Sequence, residues 1–175
     1  MYTQAKASQA RTGLRLGVTA VLLAGFAVLA LAFPLARHQE SAASELPPVN
    51  FHILQPGKSA VIEGIEVLPF RVPHQTHEIS LGLKINHAGK QILFSGDSAW
   101  SELFVEHARG VDLFLCECSF FDQGTGNHVR FIELANALPR LECKKLMLTH
   151  LGEEMLARKK ELAVAMAEDG MVIEI

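Results

Sequence analysis

Three polar residues follow apolar stretches of the chain, at positions where loops could carry metal ligands. His74 closes the segment LPFRVPH, Asp97 follows ILFSG, and His150 follows KLMLT. Imidazole nitrogen and carboxylate oxygen are ligands that a borderline metal such as Zn²⁺ accepts. A single histidine after a strand is more often a loop or core residue, and Asp97 alone could be an Asx turn or a helix N-cap. The three residues taken together favour a metal site.

The segments that must position these residues predict strands joined by tight turns. Residues 59–63 and 65–72 flank Gly64, so they predict a β-hairpin. Residues 79–86 and 91–95 flank the turn HAGK and predict a second hairpin. Three later segments also predict strands, two of them because they are short apolar runs typical of buried strands: 112–118, 145–149 and the C-terminal segment 171–175.

Helical spacing of apolar residues alternates with the later strands. It predicts a helix over 100–108 that ends before Gly110, and a helix over 127–138 that Pro139 stops. A charged amphipathic helix is predicted over 153–169. Hairpins followed by alternating helices and strands indicate an α/β sandwich layer, and the folded domain is predicted to span residues 49–175.

An uncharged apolar run occupies residues 16–36 and is long enough to cross a bilayer as a helix. The flank 1–15 is basic, as expected before a signal anchor or a cleaved signal peptide. Two further interpretations stay open: the remnant of a mis-started or frame-shifted N-terminal half, and a buried helix. The polar, proline-containing residues 37–48 predict a linker. The protein is expected to be membrane-anchored if residues 16–36 insert, and cytoplasmic otherwise.

Charge and cysteine content narrow the function classes. The 175 residues include 16 basic and 19 acidic side chains, a net charge of -3, whereas a nucleic-acid surface needs clustered Lys and Arg. Cys116, Cys118 and Cys143 are too few for a disulfide framework, so the folded part is predicted to be reduced or indifferent to redox state. The first two share one side of a strand, where core packing is favoured over a C-x-C metal pair.

The motifs VPH, SLGLKI, GKQILFSGDS, DLFLCECSF, NH and KKLMLTHLG, in this order, resemble the metallo-β-lactamase superfamily. Within that superfamily, they are most similar to the ribonuclease Z-like and phosphodiesterase-like branch. The resemblance covers roughly residues 49–175. It implies an α/β fold, the C-terminal half of an αββα sandwich, preceded here by an apolar N-terminal helix.

The resemblance also implies roles for five residues. His74 falls on a terminal ligand of one metal, Asp97 on the carboxylate that bridges two metals, and His150 on a terminal ligand of the second. His128 falls on a residue that assists catalysis without ligating metal. Glu117 falls on an acidic residue behind the ligands, and its alternative role is a buried strand carboxylate paired elsewhere.

Other histidines are weaker candidates. His77 stands three residues after His74 and is a rival for its role, although His74 is preferred. His52, His87 and His107 have no motif around them and are predicted to lie at the surface.

The H-x-H-x-D-H loop that supplies most metal ligands in this superfamily is absent from the chain. The two-metal site, for zinc or alternatively manganese, is therefore incomplete here, because a catalytic zinc normally needs three protein ligands and an open position. One face of the sheet would also lack its cover. We therefore expect a partner: a second copy in a homodimer, a separate N-terminal half, or the membrane through residues 16–36.

Two hypotheses for function follow. The first is a metal-dependent hydrolase, incomplete without the missing loop, in which a metal-bound hydroxide attacks a phosphodiester or other ester. Only 22 residues separate His74 from Asp97, which favours a small substrate over tRNA, whose processing enzymes usually carry an insertion there. The second is a non-catalytic, truncated or membrane-tethered pseudo-enzyme. The residues alone leave open whether this chain is itself an enzyme.

Overall fold

The computed structural model describes residues 50–175. Within them, one sheet has seven strands, and its order follows the chain from β1 to β7. The predicted segments 1–15, 16–36 and 37–48 lie outside the described residues. No helix within residues 50–175 is long and apolar enough to cross a membrane. The strands are Ala60–Ile62 (β1), Ile65–Val72 (β2), Ser80–His87 (β3), Lys90–Phe94 (β4), Leu113–Glu117 (β5), Leu146–Thr149 (β6) and Ala165–Met166 (β7).

The first four strands form an antiparallel meander, which confirms both predicted hairpins. Gly64 and Gly89 adopt positive φ angles of 79° and 76° at the two tight turns. Glycine reaches this left-handed region without the steric cost that a side chain would add. The register of both hairpins is therefore fixed by turn residues that the sequence displays.

The later strands β4, β5, β6 and β7 are parallel to one another. Because β2 is antiparallel to β3 and β3 to β4, β2 runs in the same direction as β4. The carboxyl ends of β2, β4, β5 and β6 consequently lie at the same end of the sheet. We call this the carboxyl end of the sheet.

Three short helices contribute apolar side chains to the core: Leu103–His107 (α1), Phe131–Ala137 (α2) and Glu153–Ala157 (α3). A 3₁₀ turn, Leu138–Arg140, follows α2. The strand residues of the core project from one face of the sheet, which we call the helix-covered face. The core is fully or almost fully buried and includes Phe70, Leu93, Phe104, Phe114, Cys116, Cys118, Leu134, Leu148 and Met155.

The predicted helix over 153–169 is wrong in its second half, since α3 ends at Ala157. Ala165 and Met166 instead extend as β7 alongside β6, and the amide of Ala167 donates to the carbonyl of Leu148 at 2.8 Å. Pairing with an otherwise unpaired strand edge outweighs the helical preference of this segment. The predicted strand over 171–175 is also wrong, because these residues form no strand.

The helix predicted over 127–138 begins later, at Phe131. Arg130 is bridged to Phe120, and its extended backbone makes it the N-cap of α2. Residues 127–129 therefore belong to the loop that leads from β5 to the helix. This difference leaves His128 in a loop at the carboxyl end of the sheet.

The opposite face of the sheet carries a second set of apolar side chains on its central strands. The residues alternate with those of the helix-covered face, as the two-residue period of a strand requires. Val67, Leu113 and Met147 on this face are buried, although they lie outside the core cluster. Five others are partly exposed, and we call these five the second face: Leu83, Ile85, Ile92, Phe94 and Leu115.

Candidate metal centre

The five residues to which the resemblance gave a role lie at the carboxyl end of the sheet. His74 comes two residues after β2, Asp97 three after β4, and His150 directly after β6. Glu117 is the last residue of β5, and His128 lies in the loop between β5 and α2. Parallel strand direction thus brings together residues that are far apart in the chain, the arrangement common to sites in layered α/β folds.

Three imidazole rings form a row at this end of the sheet. The ring centroids of His74 and His128 are 4.9 Å apart, and those of His128 and His150 are 5.2 Å apart. The carboxylate of Asp97 adjoins the row, with its Oδ1 atom 3.8 Å from Nδ1 of His150. The structure therefore places His74, Asp97 and His150 in one group with His128.

Each of the three rings is held through its Nδ1 atom. Nδ1 of His74 is 2.9 Å from the carbonyl oxygen of Asn127, and Nδ1 of His128 is 2.8 Å from Oε1 of Glu117. A carbonyl and a carboxylate can only accept, so both imidazoles donate from Nδ1. In a neutral ring, this assignment leaves the lone pair on Nε2. It is the arrangement that orients histidine as a metal ligand or a proton carrier.

Glu117 is a buried carboxylate, 1% exposed, with three hydrogen-bond donors around it. Its Oε1 atom accepts from the amide of Ser98 at 2.7 Å and from His128, and its Oε2 atom accepts from Oγ of Ser119 at 3.1 Å. Such bonds offset the cost of burying a charge. The predicted acidic residue behind the ligands is thus anchored between two other site loops.

Ligand atoms of Glu117, His128 and His150 all lie within 4.8 Å of one another, close enough to share an ion. This group differs from the trio His74, Asp97 and His150. The oxygens of Glu117 are already occupied by three donors, whereas the side chain of Asp97 is 47% exposed. No hydrogen bond to the Asp97 carboxylate occurs within residues 50–175, so its oxygens remain open to a cation.

The backbone of His150 adopts a left-handed conformation, with φ of 54°, which is uncommon outside glycine. The loop after β6 is tied to the end of β5, because the amide of Gly152 donates to the carbonyl of Ser119 at 3.1 Å. A Cβ atom on Gly152 would lie 2.4 Å from that carbonyl oxygen. Glycine at 152 therefore permits the close approach that holds His150 in place.

Among the remaining histidines, burial separates one from the rest. His77, the rival of His74, is exposed and makes no hydrogen bond within residues 50–175, and His52 and His87 are exposed as predicted. His107 is not a free surface residue, because its ring packs at 4.2 Å from the ring of Phe70. Burial against this ring lowers the pKa of His107.

Sequence reasoning missed the residues that hold the site together. Ser119 contacts both Glu117 and His150, and the carbonyl of Asn127 holds His74. The only signal for Ser119 was its position two residues after Glu117, which places the two side chains on the same side of an extended segment. The carbonyl of Asn127 carries no signal in the sequence, because any residue type could supply it.

Comparison with known proteins gives a consistent family. The family model of the Anti-Pycsar protein Apyc1 matches residues 31–172. An uncharacterized protein of Mycobacterium leprae is 32% identical over an alignment of 121 residues that covers 66% of this chain and 42% of that protein. An uncharacterized protein of Mycobacterium tuberculosis is 30% identical over 128 residues, 70% of this chain and 46% of that protein. The chain thus spans less than half the length of these relatives.

Solved structures agree on the fold. The metallo-β-lactamase fold protein YhfI from Bacillus subtilis superposes with a TM-score of 0.58 and 19% identity, over 69% of this chain and 54% of that protein. The short form of human tRNase Z superposes with a TM-score of 0.50 and 25% identity, over 65% and 44% respectively. The fold is that of the metallo-β-lactamase superfamily, and the family match covers most of the sequence. The chain belongs to the Anti-Pycsar protein Apyc1 family.

Proposed function

We propose that this chain supplies one half of the active site of a metal-dependent hydrolase that acts on a phosphodiester or another ester. The observation that carries the proposal is the row of imidazoles beside Asp97. His74 and His128 are oriented by acceptors on Nδ1, which leaves Nε2 available at the carboxyl end of the sheet. Side chains that merely fill a core do not need such preorganised nitrogen atoms.

His74, Asp97 and His150 are the residues that would hold the metal. They offer two imidazole nitrogens and a carboxylate, which suits zinc and is compatible with manganese. A metal bound here would supply Lewis acidity and would acidify a water molecule enough to give hydroxide near neutral pH. Three donors are too few for a two-metal site, so the remaining ligands must come from other residues.

His128 would handle the proton of the reaction. Glu117 fixes its ring with a 2.8 Å hydrogen bond to Nδ1, so Nε2 can give a proton to the departing group or take one from the attacking water. A histidine oriented by a carboxylate is a common form of general acid and base. The side chain of His128 is 18% exposed, which keeps it accessible to a small substrate.

The second face indicates how the remaining ligands would arrive. Its central apolar side chains are partly exposed, and the chain covers 42% and 46% of the lengths of its mycobacterial relatives. We propose that an N-terminal half, on a separate chain or on the same longer one, packs on this face and brings the missing ligands to the carboxyl end. Alternatively, a second copy of the chain would cover the second face in a homodimer, or the membrane would cover it through residues 16–36.

The test compares the full chain alone with the full chain mixed with a complementing half. That half is the part of the Mycobacterium leprae relative that this chain does not match. After dialysis, elemental analysis should show zinc or manganese near stoichiometric level in the mixture, together with hydrolysis of bis(p-nitrophenyl) phosphate. The control mixture contains the His74→Ala variant.

Absence of retained metal from a mixture whose halves co-elute would refute the hydrolase. It would favour the other hypothesis, a non-catalytic remnant. A homodimer would be revealed instead by the chain alone eluting at twice its mass, with the added half left free.

A further inference from the structure

The hydroxyl of Ser119 lies between Glu117, at the end of β5, and His150, directly after β6. Its Oγ atom is 3.1 Å from Oε2 of Glu117, 3.0 Å from Nδ1 of His150 and 3.0 Å from the carbonyl oxygen of His150. Ser119 is 8% exposed, so water has little access to replace these contacts. We propose that Ser119 is a positioning residue that fixes His150 in the tautomer whose Nε2 binds metal.

A hydroxyl group has a single proton, so Ser119 can donate to only one of these acceptors at a time. If Ser119 donated to Nδ1 of His150, the ring proton would sit on Nε2 and block that atom from a metal. The carboxylate of Glu117 is a stronger acceptor than a neutral imidazole or the backbone carbonyl of His150, because a charged acceptor forms the stronger hydrogen bond. Ser119 therefore donates to Glu117, and His150 donates from Nδ1 to the oxygen of Ser119.

The result is a relay in which one carboxylate holds two histidines. Oε1 of Glu117 accepts directly from His128, and Oε2 acts on His150 through Ser119. The direct distance from Oε2 to Nδ1 of His150 is 3.9 Å, too long for a hydrogen bond. Glu117 therefore orients both histidines: the proposed proton carrier His128 directly, and the proposed metal ligand His150 through Ser119.

The first experiment needs no metal and therefore does not depend on activity. The tautomer of His150 is measured by ¹H–¹⁵N NMR of the metal-free full chain for the wild type, Ser119→Ala and Ser119→Thr. We expect the Nδ1–H tautomer in the wild type and in Ser119→Thr, which keeps a hydroxyl. Ser119→Ala should shift toward the mixture of a free imidazole. Ser101→Ala, which removes a serine hydroxyl beside α1, serves as the control.

The second experiment measures the affinity of the full chain, mixed with the complementing half, for Co²⁺ by its visible absorption. Loss of a residue that orients a ligand typically costs 10-fold to 100-fold in affinity, so we expect Ser119→Ala to bind about 10-fold more weakly. Ser119→Thr should recover most of this loss. Because Glu117 acts on His150 through Ser119, Glu117→Gln should weaken Co²⁺ binding when Ser119 is present. In the Ser119→Ala background, the same substitution should cause little further loss of affinity.

Two results would overturn the role of Ser119: an unchanged His150 tautomer in Ser119→Ala, or additive effects of the two substitutions. The inference rests on the proposed metal site, but the outcomes are separable. If no variant binds cobalt, the metal site is wrong, while the NMR measurement still decides whether Ser119 sets the tautomer.

Discussion

The helix-covered face and the carboxyl end of the sheet are built in different ways. On the helix-covered face, Phe70, Leu93 and Phe114 are held by apolar packing from all sides. At the carboxyl end, His74 and His128 are each held by one directional hydrogen bond to Nδ1. Packing contributes most of the folding free energy, whereas single hydrogen bonds contribute little net stability but fix orientation. Folding and function should therefore respond to different substitutions.

Truncating the core should give the largest change. Phe114 is fully buried between the sheet and α1, so Phe114→Ala should lower the free energy of unfolding by about 3–5 kcal/mol. The matched control is Leu115→Ala, since Leu115 is the next residue and points to the second face, where it is partly exposed. Chemical denaturation measures both. Equal losses would mean that the second face is as tightly packed as the first.

The reactivity of the cysteine thiols tests how tightly the helix-covered face is packed. Burial raises the pKa of the Cys118 thiol from 9.0 to about 12, which reduces its thiolate fraction at pH 8 roughly 1000-fold, because each pKa unit is a factor of ten. Burial also raises the pKa of the Cys116 thiol and of the Cys143 thiol, but Cys143 is only half-buried.

Iodoacetamide followed by mass spectrometry should therefore label Cys143 first in the native protein. All three cysteines should be labelled in denaturant. Early native labelling of Cys118 would show that the core at the end of β5 opens readily.

Removing a carboxylate at the carboxyl end should affect metal binding and not folding. Asp97→Ala should weaken zinc binding, measured in the presence of the complementing half, by more than about 100-fold, beyond the range for residues that only orient a ligand. The free energy of unfolding should change by less than about 0.5 kcal/mol, as is usual for exposed sites. Asp169→Ala, at an exposed carboxylate, is the control.

The same measurement decides between two ligand sets. If Glu117→Ala abolishes binding while Asp97→Ala does not, the ion is held by Glu117, His128 and His150. Separate unfolding measurements are essential here, because loss of a buried carboxylate leaves its donors without a partner.

The contrast between the two regions also explains what the sequence could reveal. The hairpins were predictable because Gly64 and Gly89 mark turns that need positive φ. The candidate ligands His74, Asp97 and His150 could be picked out because each follows an apolar strand, whereas His128 and Glu117 depended on the family resemblance. Strand β7 was not, since its residues have good helix propensity and only the vacant edge of β6 makes them extend. The choice between His74 and His77 likewise depends on the carbonyl of Asn127, 53 positions away in the chain.

A titratable side chain on the helix-covered face should make folding weakly pH-dependent. Burial against Phe70 lowers the pKa of His107 below its ordinary value of 6.5. The unfolded chain then binds more protons than the folded one between the two pKa values, so stability rises with pH through this window. The contribution of His107 is complete above about pH 6.5 and is lost as the pH falls toward the folded-state pKa.

Replacing His107 tests whether the pH dependence of stability arises at the helix-covered face or at the carboxyl end of the sheet. In His107→Gln, the difference in the free energy of unfolding between pH 8 and pH 5 should shrink slightly, because the ring is only partly buried and solvent screens its charge. His52→Gln, at an exposed histidine, should leave the difference unchanged. An unaltered difference in His107→Gln would assign the acid sensitivity to other groups, and the imidazoles at the carboxyl end would be the next to replace.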